Sequence, residues 1–150
     1  RNSIDSRLSS ICDYLRNLHT TVKPGSFHCC VSNPPYFSGG AASDQTPYAR
    51  RDDLCTTEDL FCAAAWALRY GGDFFLVHKP EYLAVLCACA GRYQMEAKKI
   101  CLVRHRPDSD VAMILLQFRK GGKPGLIWNE LCLHDAAGAP TSDYRRIYHI

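Results

Sequence analysis

Asn33, Pro34, Pro35 and Tyr36 stand where a run of small and apolar residues, Phe27 to Val31, gives way to a glycine-rich stretch. Residues of these types in this order can grip an amine. Both prolines lack an N–H, and each holds the residue before it extended, so the backbone is stiff and offers carbonyl acceptors with no competing donor. Asn33 adds a side-chain carbonyl and Tyr36 a flat face. Two acceptors can take the hydrogens of an NH₂ group while the aromatic ring stacks on the plane that carries it. A bare Asn-Pro-Pro serves equally well to end a strand. The apolar run before it, the aromatic at its end, and the long loop and helix after it favour the chemical reading.

Such a cradle suits methyl transfer to an exocyclic amine. The lone pair of an aromatic amine is delocalised into its ring. Holding both hydrogens favours the pyramidal nitrogen that attacks a methyl sulfonium, so these contacts strengthen toward the transition state. No strong base is required, because the proton becomes acidic once the methyl has arrived. Positioning is the dominant demand.

The elements around the motif can be read from the pattern. Ser9 to Tyr14 reads as a short strand, followed by a helical turn around Leu15 and Leu18. Lys23 to Ser26 is turn chemistry, and Phe27 to Val31 reads as a buried strand that the prolines stop. Leu54 to Tyr70 is the clearest helix: Thr56 or Thr57 caps it, Glu58 and Asp59 suit its first turn, and Gly71 and Gly72 end it. Leu60, Phe61, Ala64 and Leu68 fall on its inner face. Asp73 to His78 is a buried strand. Pro80 opens a second helix, with Leu83, Leu86, Cys87 and Ala90 inward and Gly91 as its stop.

Ile100 to His105 and Val111 to Phe118 are strands joined by a short turn, so they must run antiparallel. The second is apolar nearly throughout and belongs in the sheet interior. The order strand, helix, strand, helix, strand, strand predicts a mostly parallel α/β sheet with one antiparallel strand inserted. Asn33 to Asp53 forms a loop of about twenty residues at the carboxyl end of a strand, where open α/β sheets bind ligands. Residues 121–150 read as an extension of the same domain, a small hairpin with an irregular end.

At 150 residues the chain is one domain, residues 1–150, able to bury roughly two-thirds of its unfolded surface. With 47% hydrophobic and 22% charged residues it is globular rather than disordered, and a net charge of +3 is too mild to mark a nucleic-acid binder by itself. Nine cysteines lie mostly within apolar runs and no CxxC occurs. Cys87 and Cys89 would project about 200° apart on a helix. This argues against zinc or any other metal site and for a reducing cytoplasm. No signal peptide opens the chain, and no apolar run approaches membrane-spanning length. None of the six histidines has a Ser or Cys partner in a nucleophile motif, so His28, His78 and His105 are given no chemistry.

"CVSNPPY", Cys30 to Tyr36, resembles the [DNS]PP[YFW] signature of class I S-adenosylmethionine-dependent amino-methyltransferases, which act on nucleobase amines and on glutamine side chains. "VAMILLQF" fits the inserted antiparallel strand of their Rossmann-like sheet. The longer stretches "GSFHCCVSNPPYF" and "ARRDDLCTTEDLFCAAAWALRYGGDFFLVHKPEYLAVL" are most similar to bacterial tRNA (adenine-N6) methyltransferases that modify a valine tRNA beside its anticodon.

This resemblance implies S-adenosyl-L-methionine as cofactor and tRNA as substrate. It implies that Asn33, Pro34, Pro35 and Tyr36 hold and stack a flipped adenine, with Asn33 also at the cofactor. Asp13 matches the acidic position after the family's third strand, which contacts the cofactor's adenine amine; a solvated Asp near a helix start accounts for it equally well. The family's glycine-rich D/E-x-G-x-G loop has no counterpart here, so the resemblance covers the C-terminal portion of a class I methyltransferase domain. In that family the motif strand pairs with the first strand. Without it, the edge of Phe27 to Ser32 should be exposed, which predicts a homodimer through that edge or a longer product.

Arg50 and Arg51, in the motif loop, suit phosphate contacts. Phe37 and Tyr48 suit either stacking on a splayed-out base or core packing. Two other functions remain open: a protein-glutamine methyltransferase acting on release factors, and a truncated, non-catalytic nucleic-acid-binding module.

Overall fold

The computed structural model describes residues 9–11, 13–34 and 55–149. Its centre is a five-stranded sheet of β1 (Phe27–Ser32), β2 (Leu68–His78), β3 (Met95–Arg104), β4 (Val111–Lys120) and β5 (Ile127–Cys132), in the order β1-β2-β4-β3-β5. β1 is parallel to β2 and β3 to β5, while β4 runs antiparallel to both its neighbours. The mostly parallel sheet with one inserted reversed strand is therefore present, and β4 occupies the interior position.

α2 (Thr57–Ala67) and α3 (Leu83–Arg92) cover one face of this sheet. Phe61 of α2 stands edge-on to Phe74 at 5.5 Å and to Phe118 at 5.2 Å. All three rings are fully buried, together with Leu68, Leu76, Leu86 and Ile114. Each such side chain contributes about 1.5–3 kcal/mol by leaving water. The start of α2 is a capping box. Thr56 Oγ1 accepts from the Asp59 N–H at 3.1 Å, and Asp59 Oδ2 accepts from the Thr56 N–H at 2.9 Å.

Several expectations need correction. No strand forms among the described residues of 9–14. Asp13 Oδ1 accepts from the Tyr14 N–H and from Asn17 Nδ2, which starts the 3-10 turn Leu15–Asn17 leading into α1 (Leu18–Thr21). α2 stops at Ala67, before the glycines, and the chain enters β2 directly. Lys120 Nζ closes that helix end by donating to Ala65 O and Leu68 O. Gly71 and Gly72 instead form a bulge. Phe27 and Cys29 lie opposite Leu68 and Asp73, so β2 carries extra residues there. Gly71 has φ +80°, and a Cβ on Gly72 would meet Arg69 O and Leu68 Cδ2 at 3.0 Å.

α3 runs through Gly91 to Arg92, and its inner face includes Cys89, fully buried, beside the expected Cys87, which is half-buried against the same core. The expected hairpin of the tail is small, one antiparallel bridge of His134 with Pro140 around a turn at Asp135 and Gly138, and it follows a strand that was not expected. β5 crosses over β3 to pair parallel with its free edge, and α4 (Ser142–Tyr148) follows. β1, expected as a buried strand, pairs among the described residues only with β2, and Val31 is 75% exposed. Among the described residues no strand pairs with the outer edge of Phe27–Ser32. Among the described residues no helix is long and apolar enough to cross a membrane.

Candidate active site at the carboxyl edge of the sheet

The parallel strands all end at one edge of the sheet. Ser32, the last residue of β1, lies opposite Leu76 of β2. Asn33 follows, exposed, and Pro34 is half-buried. The same edge receives His78 at the end of β2 with Lys79 after it, Arg104 at the end of β3 with His105 after it, and His134 beyond β5, whose N–H donates to His105 O at 3.0 Å. The prolines explain why β1 stops here, since neither can donate to a ladder.

Beneath Pro34 is a cavity of ≈ 320 Å³, with Leu15, Leu18, Cys30, Cys55, Leu60 and Phe74 among its walls. It is apolar on nearly every side. Burial pushes the thiols of Cys30 and Cys55 up from their ordinary value, so both remain uncharged at neutral pH and line the cavity as small apolar groups. Just outside lies one ion pair. Arg16 Nη2 meets Asp59 Oδ2 at 2.9 Å, and this guanidinium, helped by hydrogen bonds from Thr56, holds the Asp59 carboxyl down to about 2.

The sequence candidates are placed unevenly. Asn33 and Pro34 come to the carboxyl edge as the strand reading requires. Asp13 is exposed, before the 3-10 turn that supplies Leu15 to the cavity, and its Oδ1 is engaged at that turn's start. Pro35, Tyr36, Phe37, Tyr48, Arg50 and Arg51 lie outside the described residues. Cys30 and Cys55 were not candidates, and neither was His78, which is only 7% exposed at the end of β2. The signal for His78 was its place between a buried strand and a helix-opening proline. Among the described residues no group of His, Cys, Asp and Glu is arranged to hold a metal.

An arrangement of this kind can seat a flat apolar group against the cavity, whose wall includes Pro34. No family model matches the chain. Over 126 residues it is 28% identical to a tRNA1(Val) (adenine(37)-N6)-methyltransferase of Bacteroides thetaiotaomicron, a match covering 83% of this chain and 53% of that protein. Its fold is similar to that of an Agrobacterium tumefaciens protein described as a predicted O-methyltransferase, with TM-score 0.70, 21% identity, and coverage of 89% of this chain and 56% of that one. A Thermus thermophilus protein described as a DNA modification methylase, solved with S-adenosyl-L-methionine, gives TM-score 0.51 and 16% identity over 89% of this chain and 58% of that one. The chain thus spans about half the length of the relatives it matches. What it spans has the Rossmann-like α/β fold of the class I methyltransferases, with sequence similarity to one of their adenine-N6 amino-methyltransferases.

Proposed function

We propose that this chain carries the acceptor side of an S-adenosylmethionine-dependent N-methyltransferase that modifies the N6 amine of an adenine in tRNA. The observation that carries this reading is the placement of Asn33 and Pro34 directly beyond the last paired residue of β1, at the carboxyl edge of a class I methyltransferase sheet. Similarity to the tRNA1(Val) enzyme supports the choice of tRNA and of the adenine amine.

In this reading the Asn33 side-chain carbonyl and the Pro34 carbonyl take the two hydrogens of the amine. Tyr36 stacks on the base, with Phe37 or Tyr48 beside it, and Arg50 and Arg51 meet the phosphates. The residues present fit one part of the cofactor: the apolar cavity beneath Pro34 suits its flat adenine, with Asp13 beside the turn that lines the cavity, while its charged amino-acid end finds no partner in this lining. S-adenosylmethionine supplies the methyl group when bound. The chain's own part is to hold the amine pyramidal and to exclude water from it. The many free thiols suit a reducing cytoplasm.

Calorimetric titration with S-adenosylmethionine, followed by transfer of labelled methyl to a valine tRNA transcript, tests the reading. Saturable binding and transfer that Asn33→Ala abolishes would support it. Transfer to a glutamine peptide and not to tRNA would keep the cradle and replace the substrate. A folded sample without binding or transfer would favour the non-catalytic module.

A second proposal concerns the partner. Among the described residues β1 has one neighbour, and beside exposed Val31 lies Phe75 of β2, 39% exposed on the same side of the sheet. An apolar edge of this kind invites pairing, and we propose that a second copy of the chain occupies it. A dimer in sedimentation that Val31→Lys converts to monomer would support this; a monomeric wild type would refute it.

A further inference from the structure

His78 is the one histidine among the described residues that is buried. It is the last residue of β2 and lies opposite Ile114 of β4 on one side. On its other side is the end of β1. The parallel register ends with Ser32 paired to Leu76, so Pro34 and His78 each follow that last pair by two residues on adjacent chain segments. Phe74, Leu76 and His78 alternate onto the face that α2 and α3 cover, as Cys30, Ser32 and Pro34 do on β1.

The ring is fixed from two directions. Its Nδ1 accepts from the Lys79 N–H at 2.9 Å, which makes Nε2 the protonated nitrogen of the neutral ring. Its face packs on Tyr82, with ring centroids 4.7 Å apart, and Tyr82 rests against the hydrophobic core. The hydrogen bond folds the ring onto its own following peptide. The chain therefore leaves the sheet at Lys79, and Pro80–Tyr82 turns it into α3.

From this we propose that His78 is a positioning residue for the acceptor cradle: by closing the end of β2 in a fixed shape, it braces the end of β1 at Asn33 and Pro34. The inference rests on the cradle reading given above. A phenylalanine at 78 keeps a ring against Tyr82 and loses the acceptor. An asparagine keeps an acceptor near the position of Nδ1 and loses the ring. The two variants therefore separate the hydrogen bond from the packing.

Hydrogen exchange at the Ser32 and Asn33 amides provides the test, with methyl transfer as a second readout. Successive amides of a strand face opposite edges, so one of these two is held by β2, and His78→Phe should speed its exchange by about tenfold or more while that of Phe118 is unchanged. It should also lower kcat by up to about a hundredfold with KM for S-adenosylmethionine unchanged, and His78→Asn should restore both toward wild type. Unchanged exchange at Ser32 and Asn33 in His78→Phe would overturn the proposal. So would equal behaviour of the two variants, or exchange rising evenly through β2 and β4. If instead Asn33→Ala leaves transfer intact, the cradle reading fails while the exchange result still decides the role of His78.

Discussion

β1 and β4 belong to one sheet, with only β2 between them, yet they live under opposite physical conditions. β4 is ten residues long, has a neighbour on each side, and carries Ile114 and Phe118 fully buried. β1 has six residues, one neighbour, and no fully buried side chain. The reversed strand holds the fold together, while the strand that ends in Asn33 hangs from it through β2. Stability and proposed chemistry are thus assigned to different strands. Binding segments are commonly drawn from the less stable parts of a structure, where small rearrangements are cheap.

The largest effect should come from the stable side. Phe118→Ala removes a ring that Phe61 meets edge-on and leaves a cavity between α2 and the sheet, so urea unfolding should show a loss of about 3–5 kcal/mol. A loss below about 1 kcal/mol would mean that β4 is not the keystone described. Next is Asn33→Ala. Loss of one acceptor at the developing charge should lower transfer by roughly a hundred- to a thousandfold. The same variant should unfold within about 0.5 kcal/mol of wild type, because Asn33 is exposed. Destabilisation comparable to that of Phe118→Ala would erase the division between the strands.

The same contrast explains what could be read in the sequence. Val111 to Phe118 was legible because burial on both faces writes a continuous apolar run. The start of α2 was legible because Thr56 and Asp59 cap each other locally. Its end was not, because a Gly-Gly pair marks unusual backbone without saying whether it stops a helix or bulges a strand. The exposure of β1 could not be read from Phe27 to Val31 themselves, whose composition suits an edge or a centre equally. It depends on which strand lies alongside.

β5 failed for a similar reason: a short linker after β4 serves an adjacent hairpin or a step across β3. The position of Asn33 was legible because prolines end pairing wherever they occur. The bracing by His78 was not, because its partners are its own following N–H and a ring that only the fold brings near.

A smaller effect should appear in acid, on the side of the molecule nearest β1. Asp59 both caps α2 and pairs with Arg16, so it ties the turn before β1 to the helix. Its folded value, about 2, lies below the ordinary 3.8, chiefly because of the Arg16 guanidinium. A depressed carboxyl stabilises the fold fully above the unfolded value, and that contribution is lost as pH falls from about 4 toward 2. The pair is largely solvated, so its contribution is small. Urea midpoints across this window should fall more steeply for wild type than for Asp59→Asn. Parallel curves would mean that Arg16 and Asp59 do not link the two elements.

The smallest expected effect sharpens the comparison most. Val31→Lys places a charge on a side chain that is 75% exposed and on a strand whose outer edge has no partner among the described residues. Within the monomer little is lost, because most of the valine already faces water, and unfolding should stay within about 0.5 kcal/mol of wild type. A charged residue on an edge also opposes strand addition by another chain. If the edge is covered by a second copy, the substitution therefore separates two quantities that a buried strand would keep together. Monomer stability stays level and dimer formation falls. A large loss of monomer stability would instead mean that Val31 is covered from within its own chain and that β1 is no edge in solution, which removes the contrast with β4 at its root.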